Sequence, residues 1–291
     1  MKTTTKLREL IKSKELIVAP GAFSPLCAKM IQKVGFNCVY MSGYGVAAYR
    51  LGFPDVGLMT MNESLDTARA IAQACDLPVI ADVDNGYGNV INVKRTVEEY
   101  ELAGVAGIQL EDQSWPKRCG HMEGKVLISA EEMVQKIRIA VASRKDPDFV
   151  IVARTDANTV LGFDEAIRRS NLYAEAGADI IFFESPTSDE QVEKIPDLVH
   201  APVMLNMSEG AKTPLRNNAE IRSLGYKLVI WPSSATWAAA RAIQEIYQIL
   251  KDKGTTGEDL EKLILFHEFN DLIGLPEVMR LSDEYKTGTT Y

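Results

Sequence analysis

The stretch GVAGIQLE (104–111) carries the pattern that decides the fold. A glycine of the kind that ends helices is followed by a run of apolar residues, and a polar residue stands seven positions after the glycine. The arrangement recurs in three further stretches: GFNCVYMS (35–42), GADIIFFE (177–184) and GYKLVIWP (225–232). These copies predict a repeated unit in which a helix ends, a buried strand crosses the core, and the last residue lies at the strand's C-terminal end.

Four more apolar runs lie between these copies: LIVAPGA (16–22), LPVIADVD (77–84), DFVIVARTD (148–156) and APVMLNM (201–207). All of the runs are continuously apolar, which is typical of strands in a buried parallel sheet. The chain of 291 residues therefore predicts an α/β fold, a (β/α)8 TIM barrel, with an open doubly wound sheet as the alternative. We expect residues 1–291 to form a single domain with a C-terminal helical extension over about 235–285, and KTGTTY (286–291) to fray.

Helical patterns separate the strands, most clearly over residues 92–103 and 131–142. Their apolar residues recur at spacings of four and three, as on one face of a helix. These are Val93, Val97 and Tyr100 in the first, and Met133, Ile137 and Ala140 in the second. Ser129 and Glu132 predict a capping box at the start of the second helix.

Charge and composition exclude several classes of partner. The net charge of −8 argues against nucleic acid, which needs a basic face. No apolar run is long enough for a membrane span, and the N-terminus lacks the apolar core of a secretory signal, so we expect a cytoplasmic protein without a membrane partner. An anionic substrate would need cations in its pocket. Of the four cysteines, Cys27, Cys38 and Cys75 have apolar or small neighbours and are expected to be buried.

Polar residues gather at the predicted C-terminal ends of six strands, where barrel enzymes build their active sites. They are Tyr40, Ser42 and Gly43; Asp82 and Asp84; Glu111 and Asp112; Arg154, Thr155 and Asp156; Glu184 and Ser185; and Asn206, Ser208 and Glu209. A charged group at the end of an apolar strand costs free energy unless it is paired or bound to a metal. The pattern therefore predicts an active site at this mouth.

The pair Asp82 and Asp84 predicts a metal site. Two residues apart on a strand, their carboxylates would lie on the same face, and Glu111 from the neighbouring strand could join them. Hard oxygen ligands that leave room for water suit Mg²⁺, or Mn²⁺, rather than Zn²⁺. The alternative is a helix N-cap with a solvated acid beside it.

The segment EDQSWPKRCGHMEGK (111–125) predicts a mobile loop that carries a reactive thiol. Cys119 has Lys117, Arg118 and His121 as neighbours, and positive neighbours should lower the pKa of a thiol. Such a thiol would serve as a general acid or base. The alternatives are a surface cysteine in a charged loop and a structural role for His121.

Four further candidates complete the pocket. Arg154 is suited to hold a substrate carboxylate, with an ion pair to Glu184 or Asp156 as an alternative or additional role. Asn206 and Ser208 offer polar groups to a carboxylate. Asp55 could form a hydrogen bond near the metal or cap a turn.

The chain resembles the isocitrate lyase/phosphoenolpyruvate mutase superfamily over nearly its whole length. The landmarks are YMSG (40–43), LGFPDVG (51–57), DVDNGYG (82–88), LEDQ (110–113), KRCGH (117–121), ARTDA (153–157) and NMSEGAKTP (206–214). KRCGH is specific to the carbon–carbon lyase branch and absent from the phosphonate-processing branch. Within that branch the length and the motifs are similar to 2,3-dimethylmalate lyases, petal-death proteins and methylisocitrate lyases.

The resemblance implies roles for individual residues. Asp82 and Asp84 would hold Mg²⁺ directly or through water, with Glu111 in the outer shell. The pyruvyl-like end of the substrate would contact Tyr40, Ser42, Gly43 and Tyr44, whereas some relatives have Gly at position 44. Cys119, Gly120 and His121 would close over the ligand, and the remaining contacts would come from Asp55, Lys117, Arg154, Glu184, Asn206 and Ser208. It also implies a homotetramer with a C-terminal helix swapped between neighbours.

The implied reaction is a retro-aldol cleavage of a 2-hydroxy di- or tricarboxylate, a 2-alkylmalate such as 2,3-dimethylmalate or 2-methylisocitrate. It would yield a 2-keto acid such as pyruvate and a carboxylic acid, with Cys119 protonating the carbanion. The base is not identified, although Glu111 is a candidate. The alternatives are an oxaloacetate acetylhydrolase or decarboxylase, a phosphonate mutase or hydrolase, and a non-catalytic barrel that only binds a ligand.

Overall fold

All eight predicted strands form, and they close into a parallel barrel in chain order. The structure is a computed structural model that describes residues 1–286. The strands are β1 (Ile17–Ala22), β2 (Val39–Met41), β3 (Val79–Asp82), β4 (Gly107–Glu111), β5 (Val150–Thr155), β6 (Ile180–Phe183), β7 (Val203–Asn206) and β8 (Leu228–Trp231). Strand β8 pairs with β1, from Ile17 opposite Leu228 to Pro20 opposite Trp231. The TIM-barrel prediction is confirmed, and the open-sheet alternative is wrong.

Glycine ends the helix before four of these strands, as predicted. The φ angles are 98° at Gly35, 91° at Gly104, 107° at Gly177 and 91° at Gly225, all in the left-handed region. Because only glycine adopts this backbone without steric cost, each one stops its helix and turns the chain toward the next strand.

The first ten helices belong to the barrel. They are α1 (Thr3–Lys12), α2 (Pro25–Val34), α3 (Gly43–Val46), α4 (Met61–Gln73), α5 (Val90–Leu102), α6 (Ala130–Ser143), α7 (Asn158–Leu161), α8 (Phe163–Glu175), α9 (Asp189–Leu198) and α10 (Asn218–Ser223), with a π-helix at Ala47–Leu51. The six apolar residues predicted for α5 and α6 are all fully buried. Ser129 Oγ accepts a hydrogen bond from the Glu132 backbone N–H at 3.1 Å, which is one half of the predicted capping box.

The core has two layers, because successive side chains of a strand point to opposite faces of the sheet. Tyr40, Ile80, Val152 and Phe182 fill the inside of the barrel, while alternate residues of the same strands pack outward against the helices. Cys38 is buried as predicted, whereas Cys27 and Cys75 are only half-buried. Both half-buried cysteines lie on or just after a helix and pack at the edge of the outer layer.

Helix α1 joins the inner layer from the N-terminal ends of the strands. Its Leu7 is fully buried among the side chains inside the barrel. Arg8, next to it, donates to the Asp148 carbonyl at 3.0 Å and to Asp179 Oδ1 at 2.6 Å. Helix α1 therefore covers the end of the barrel opposite to the predicted active site.

The chain divides into two compact units, Met1–Thr236 and Trp237–Tyr291. Helix α11 (Ser234–Lys253) begins in the first unit, and the second contains a 3-10 helix (Leu260–Lys262), α12 (Phe266–Ile273) and α13 (Leu275–Glu284). The predicted C-terminal helices are thus present. The single domain over residues 1–291 stays a prediction, and the predicted fraying falls, apart from Lys286, outside the described residues. Within residues 1–286 no helix is long and apolar enough to cross a membrane.

The position of Leu7 leads to a stability prediction. Leu7→Ala should lower the free energy of unfolding by about 2–5 kcal/mol, because it removes buried methyl groups and leaves a cavity. Leu102→Ala is the matched control, since Leu102 is 74% exposed and its truncation should cost less than about 0.5 kcal/mol. Urea denaturation checks both variants, and equal losses would contradict the role of α1.

Candidate active site

Nine charged side chains meet in a cluster at the C-terminal ends of the strands, and we call it the mouth cluster. Its six carboxyl groups and three cations are Asp55, Asp82, Asp84, Glu111, Asp156, Glu184, Lys117, Lys125 and Arg154, all of them buried. They are joined by ion pairs or lie close enough to shift one another's pKa. Because the carboxyl groups outnumber the cations, the mouth cluster needs further protons or a bound cation.

A turn, rather than the pleat of a strand, brings Asp82 and Asp84 together. Strand β3 ends at Asp82, and Asp84 lies beyond it with a φ of 50°. The Asp84 backbone N–H donates to Asp82 Oδ1 at 3.1 Å. The expectation of one strand face was therefore wrong in its geometry, although both carboxyl groups enter the mouth cluster. The helix-cap alternative is also wrong, because Asn89 caps α5.

Lys117 connects its own loop to two carboxyl groups of the mouth cluster. Its Nζ lies 2.6 Å from Asp55 Oδ1 and 2.8 Å from Asp84 Oδ1. Burial alone would lower the pKa of Lys117, but Asp84 and Asp55 outweigh it and hold that pKa well above its usual value. Burial raises the pKa of Asp84 to about 7 even though Lys117 opposes the shift. The side chain of Asp55 is thus used in an ion pair.

Glu111 is the least satisfied member of the mouth cluster. Both of its carboxyl oxygens are buried and lack a hydrogen-bond partner, and Arg154 Nη1 is 3.3 Å from Oε2. Burial raises the pKa of Glu111 well above its usual value. A carboxyl group in this position takes up a proton or turns toward a bound cation.

The residues present fit a hydrated divalent ion. Asp82, Asp84 and Glu111 offer hard oxygen atoms, and Mg²⁺ is typically bound through one or two carboxylates while it keeps several waters. Within residues 1–286, no three His, Cys, Asp or Glu side chains form a ready cage for a metal. A site of two carboxylates with Glu111 behind them agrees with both observations.

Gln109 is a member of the site that the sequence analysis missed. Tyr40 Oη donates to Gln109 Oε1 at 2.6 Å, and Gln109 Nε2 donates to Asp82 Oδ1 at 3.3 Å. Gln109 thus connects the predicted substrate residue Tyr40 to the predicted metal ligand Asp82. Its signal in the sequence was a polar residue in the middle of an otherwise apolar strand.

The segment after β2 packs closely against this chain of bonds. Ser42 Oγ accepts from the Gly45 backbone N–H at 3.3 Å and so begins α3. A Cβ atom on Gly43 would lie 2.9 Å from Asp82 Oδ2, so glycine is needed for this approach. Tyr44 lies in the same short helix and is half-buried. The structure places Gly43 against the mouth cluster and gives Ser42 a capping bond.

The loop over residues 111–125 is folded down onto the mouth cluster. The Cys119 backbone N–H donates to the Asp55 carbonyl at 3.1 Å. The Gln113 side chain accepts from the Arg118 N–H at 2.9 Å and donates to the Arg118 carbonyl at 2.8 Å. A Cβ on Gly120 would lie 2.5 Å from Arg154 Nη2, so glycine lets the loop approach this closely.

The expected lowering of the Cys119 pKa was wrong. Burial raises the pKa of the thiol and Asp55 raises it further, whereas Lys117 lowers it only in part. The neighbouring cations are already engaged: Lys117 pairs with two carboxylates, and Arg118 donates to the Glu123 carbonyl at 2.9 Å. Cys119 is therefore a neutral thiol at pH 7, which can donate a proton but is a poor base.

His121 lies between the ends of β6 and β7. Its Nδ1 is 3.3 Å from Ser185 Oγ and 3.8 Å from Glu184 Oε1, and its Nε2 is 3.4 Å from Asn206 Nδ2. Ser185 has a φ of 54°, uncommon for a residue other than glycine. The structure thus brings Glu184 and Asn206 to His121 as expected, with Ser185 as an additional contact.

The two remaining candidates are held by bonds within the protein. Arg154 donates to Asp156 twice, at 2.9 and 3.0 Å, and lies 4.0 Å from Glu184, so both of the expected ion pairs are present. The Ser208 hydroxyl is 2.8 Å from Ser233 Oγ. This bond joins the ends of β7 and β8, and the expected place of Ser208 in the pocket is not supported.

A closed (β/α)8 barrel with buried charges at its mouth and a thiol on a loop that covers them is the architecture of a barrel enzyme. Comparison with known proteins agrees with it. The family model of phosphoenolpyruvate phosphomutase matches residues 7–251. The chain is 50% identical over 288 residues to 2,3-dimethylmalate lyase of Eubacterium barkeri, covering 99% of this chain and 100% of that protein. It is 46% identical to 2-methylisocitrate lyase of Aeropyrum pernix, covering 92% and 86%.

Solved structures give the same result. A complex of oxaloacetate acetylhydrolase with 3,3-difluorooxalacetate has a TM-score of 0.92 at 37% identity and covers 97% of each chain. A complex of phosphonopyruvate hydrolase with oxalate and Mg²⁺ has a TM-score of 0.89 at 32% identity, covering 98% of this chain and 99% of that one. The chain belongs to the phosphoenolpyruvate mutase/isocitrate lyase superfamily, and it is an enzyme of the carbon–carbon lyase class.

The environment of Cys119 predicts that its thiol ionises only at high pH. The rate of its alkylation by iodoacetamide should keep rising with pH beyond the ordinary thiol pKa of 9.0, because burial and Asp55 disfavour the thiolate. Peptide mass spectrometry of protein alkylated between pH 6 and 10.5 measures this profile. A midpoint below about 8, as for a thiolate stabilised by cations, would restore the interpretation from sequence.

Proposed function

We propose that this enzyme cleaves the C2–C3 bond of a 2-alkylmalate, with 2,3-dimethylmalate as the best candidate substrate. The products would be a 2-keto acid such as pyruvate and a carboxylic acid. The observation that carries the proposal is the neutral thiol of Cys119 on a loop folded over the mouth cluster. The similarity to 2,3-dimethylmalate lyase over the whole chain supports the choice of substrate.

The chain's own residues supply the proton transfers of this reaction. Glu111 is the candidate base for the proton of the 2-hydroxyl, in the ionised form that Arg154 and a bound cation would favour against burial. The C2–C3 electron pair then passes to the departing fragment, leaving C2 as the ketone of the 2-keto acid. The Cys119 thiol gives its proton to the carbanion, and the thiolate is reprotonated before the next turnover.

The other members of the site bind and orient the substrate. Arg154, Asn206 and His121 line the side of the mouth under the loop, where cationic and amide donors would hold the developing negative charge. Gly43 and Tyr44 lie on the side of Asp82, and Gln109 keeps that carboxylate and Tyr40 in place. The folded loop excludes water from the carbanion.

A divalent cation belongs to the proposal. Asp82 and Asp84 would hold Mg²⁺, or Mn²⁺, with Glu111 behind them, and the ion would act as a Lewis acid toward the substrate's oxygen atoms. Its support is the excess of buried carboxyl groups and the unpartnered oxygens of Glu111.

A second candidate function is the hydrolysis of oxaloacetate. The similarity to oxaloacetate acetylhydrolase over nearly the whole of both chains favours it. Within the lyase function, 2-methylisocitrate is the competing substrate, because the archaeal relative carries that name. The two substrates differ by a carboxylate on the C3 substituent, which needs a cationic or hydrogen-bonding partner in the pocket, so the substrate must be measured directly.

We propose a homotetramer in which C-terminal helices are exchanged between neighbours, as the family resemblance implies. The second unit supports this by its composition, because apolar side chains of α12 and α13, among them Phe266 and Val278, are 73% and 61% exposed. Exposed apolar residues in such number are typical of a surface that is covered in an assembly. A cytoplasmic location stays a prediction.

A substrate panel tests the function. Purified enzyme with Mg²⁺ is given 2,3-dimethylmalate, 2-methylisocitrate, oxaloacetate and phosphonopyruvate in separate reactions, and the products are identified by NMR. We expect the highest kcat/KM with 2,3-dimethylmalate, by about 10-fold or more over 2-methylisocitrate. Preference for oxaloacetate would favour the second candidate, turnover of phosphonopyruvate would place the enzyme in the phosphonate branch, and no turnover at all would favour a binding protein.

Cys119→Ser tests the proton donor. A serine hydroxyl is a much weaker acid, so kcat should fall by about 10²–10⁴-fold while the circular dichroism and the midpoint of thermal unfolding stay near those of the wild type. Cys27→Ser is the matched control, because Cys27 is also partly buried but lies on helix α2, where its thiol is 3.4 Å from Ser24 Oγ. Near wild-type turnover in the Cys119 variant would remove the thiol from the mechanism.

Removal of the metal is a separate test. Chelation by EDTA should abolish turnover, and Mg²⁺ or Mn²⁺ should restore it. Adding Mg²⁺ should also raise the midpoint of thermal unfolding, because an ion that binds only the folded state stabilises it. This increase should be lost in Asp84→Asn, and an equal increase in that variant would mean that the ion binds elsewhere.

A further inference from the structure

Lys125 carries a buried ammonium group at the end of the loop over residues 111–125. Its side chain is only 2% exposed. Its Nζ donates to the Gly120 carbonyl at 2.5 Å and to Asp156 Oδ1 at 3.0 Å. The first bond goes to the part of the loop that carries the thiol, and the second goes to the barrel just after β5. One side chain thus connects the loop that carries the thiol to the barrel.

Asp156 is a firm anchor because the barrel holds it independently of the loop. Its carboxylate receives two hydrogen bonds from Arg154, and its backbone N–H donates to Asp112 Oδ1 at 2.9 Å. Asp112 is held in turn by Thr155, Arg169 and Tyr173. Arg154 and Lys125 outweigh burial and lower the pKa of Asp156 to about 2, so the anchor is charged at neutral pH.

The bond to Gly120 positions the residues on both sides of it. Gly120 lies between Cys119, whose N–H is bonded to the Asp55 carbonyl, and His121, whose ring lies between Ser185 and Asn206. Gly120 lies so close to Arg154 that a Cβ atom would clash with it, and Lys125 opposes movement of the loop outward. The hydrogen bond from Lys125 to the Gly120 carbonyl therefore holds the Cys119 thiol in its position over the mouth cluster.

Lys117 also ties this loop to the barrel through its buried ion pair with Asp84, whereas the ionic connection at Glu123 is weaker. Lys212 lies 2.5 Å from Glu123, but the Glu123 side chain is 88% exposed, and exposed ion pairs contribute little because water competes for both partners. The bond from Arg118 to the Glu123 carbonyl stays within the loop and cannot hold it down. Breaking a buried charged bond is far more costly, because it leaves a charge without its partner.

We propose that Lys125 is the positioning residue that holds the Cys119 loop closed, by bridging the Gly120 carbonyl to Asp156. When the loop lifts, the carbonyl leaves and the ammonium keeps only its bond to Asp156, so the bridge favours the closed loop. The consequence for turnover rests on the proposed role of Cys119 as proton donor. The consequence for the accessibility of the thiol does not.

The test is the alkylation of Cys119 by iodoacetamide at pH 8, measured by peptide mass spectrometry without substrate. Lys125→Met keeps the length of the side chain and removes both charged bonds, so alkylation of Cys119 should become at least about 10-fold faster. The control is Lys212→Met, which removes only the exposed ion pair and should change the rate less than 2-fold. Alkylation of Cys27 in the same molecules serves as the internal reference.

Lys125→Gln covers the case in which the methionine variant fails to fold, because its amide can still donate to Asp156. It should also expose Cys119, with a rise in alkylation of at least about 3-fold. A folded variant with an unchanged alkylation rate would overturn the proposal. Failure of both variants to unfold cooperatively would overturn it too, since Lys125 would then be needed for the fold as a whole.

Turnover separates this proposal from the proposed function. If the panel identifies a substrate, Lys125→Met should lower kcat/KM by about 10-fold or more, whereas Lys212→Met should change it less than 2-fold. If no substrate is turned over, faster alkylation in Lys125→Met still supports the role of Lys125 in holding the loop closed, and an unchanged rate rejects it.

Discussion

Buried negative charge at the mouth of the barrel is the constraint on which the rest of the structure depends. Six carboxyl groups share a buried region with three cations, and a carboxylate without a partner in such a region is costly. Two of the three cations therefore serve more than one carboxylate: Lys117 pairs with two, and Arg154 contacts three. The charge that stays unbalanced falls on Asp82, Asp84 and Glu111, whose pKa values are all raised.

This charge balance also sets the state of the thiol. Lys117 comes two residues before Cys119 in the sequence, but its ammonium turns into the mouth cluster and pairs with Asp55 and Asp84. The thiol is left with burial and a nearby carboxylate, both of which favour the protonated form. A group that must deliver a proton to carbon is best kept neutral until the carbanion forms, so the raised pKa suits the proposed role better than a lowered one.

The loop and the barrel are coupled through the same charges. Asp156 binds Arg154 on one side and Lys125 on the other, so the residue proposed to bind the substrate and the residue proposed to hold the loop share one anchor. Gly43 and Gly120 allow the two walls of the mouth to approach charged side chains at distances that a Cβ atom would forbid. Small residues and buried ion pairs together shape this site.

Local features of the sequence determined the barrel and most of the residues that belong to its site. The glycines at 35, 104, 177 and 225 end helices through their own backbone freedom, and continuous apolar runs form buried strands whichever neighbours they find, so the eight units could be predicted. Polar residues at strand ends then had to meet at one mouth.

Only the tertiary structure decided which charges pair there. The bonds of Lys117 to Asp55, of Lys125 to Asp156 and of Gln109 to Tyr40 join residues that are 31 to 69 positions apart or lie on different loops. Pairing at such range depends on where the closed barrel brings each side chain. The protonation of Cys119 depends on the same placement, because the pKa of a group is set by its neighbours in space and not by those in sequence.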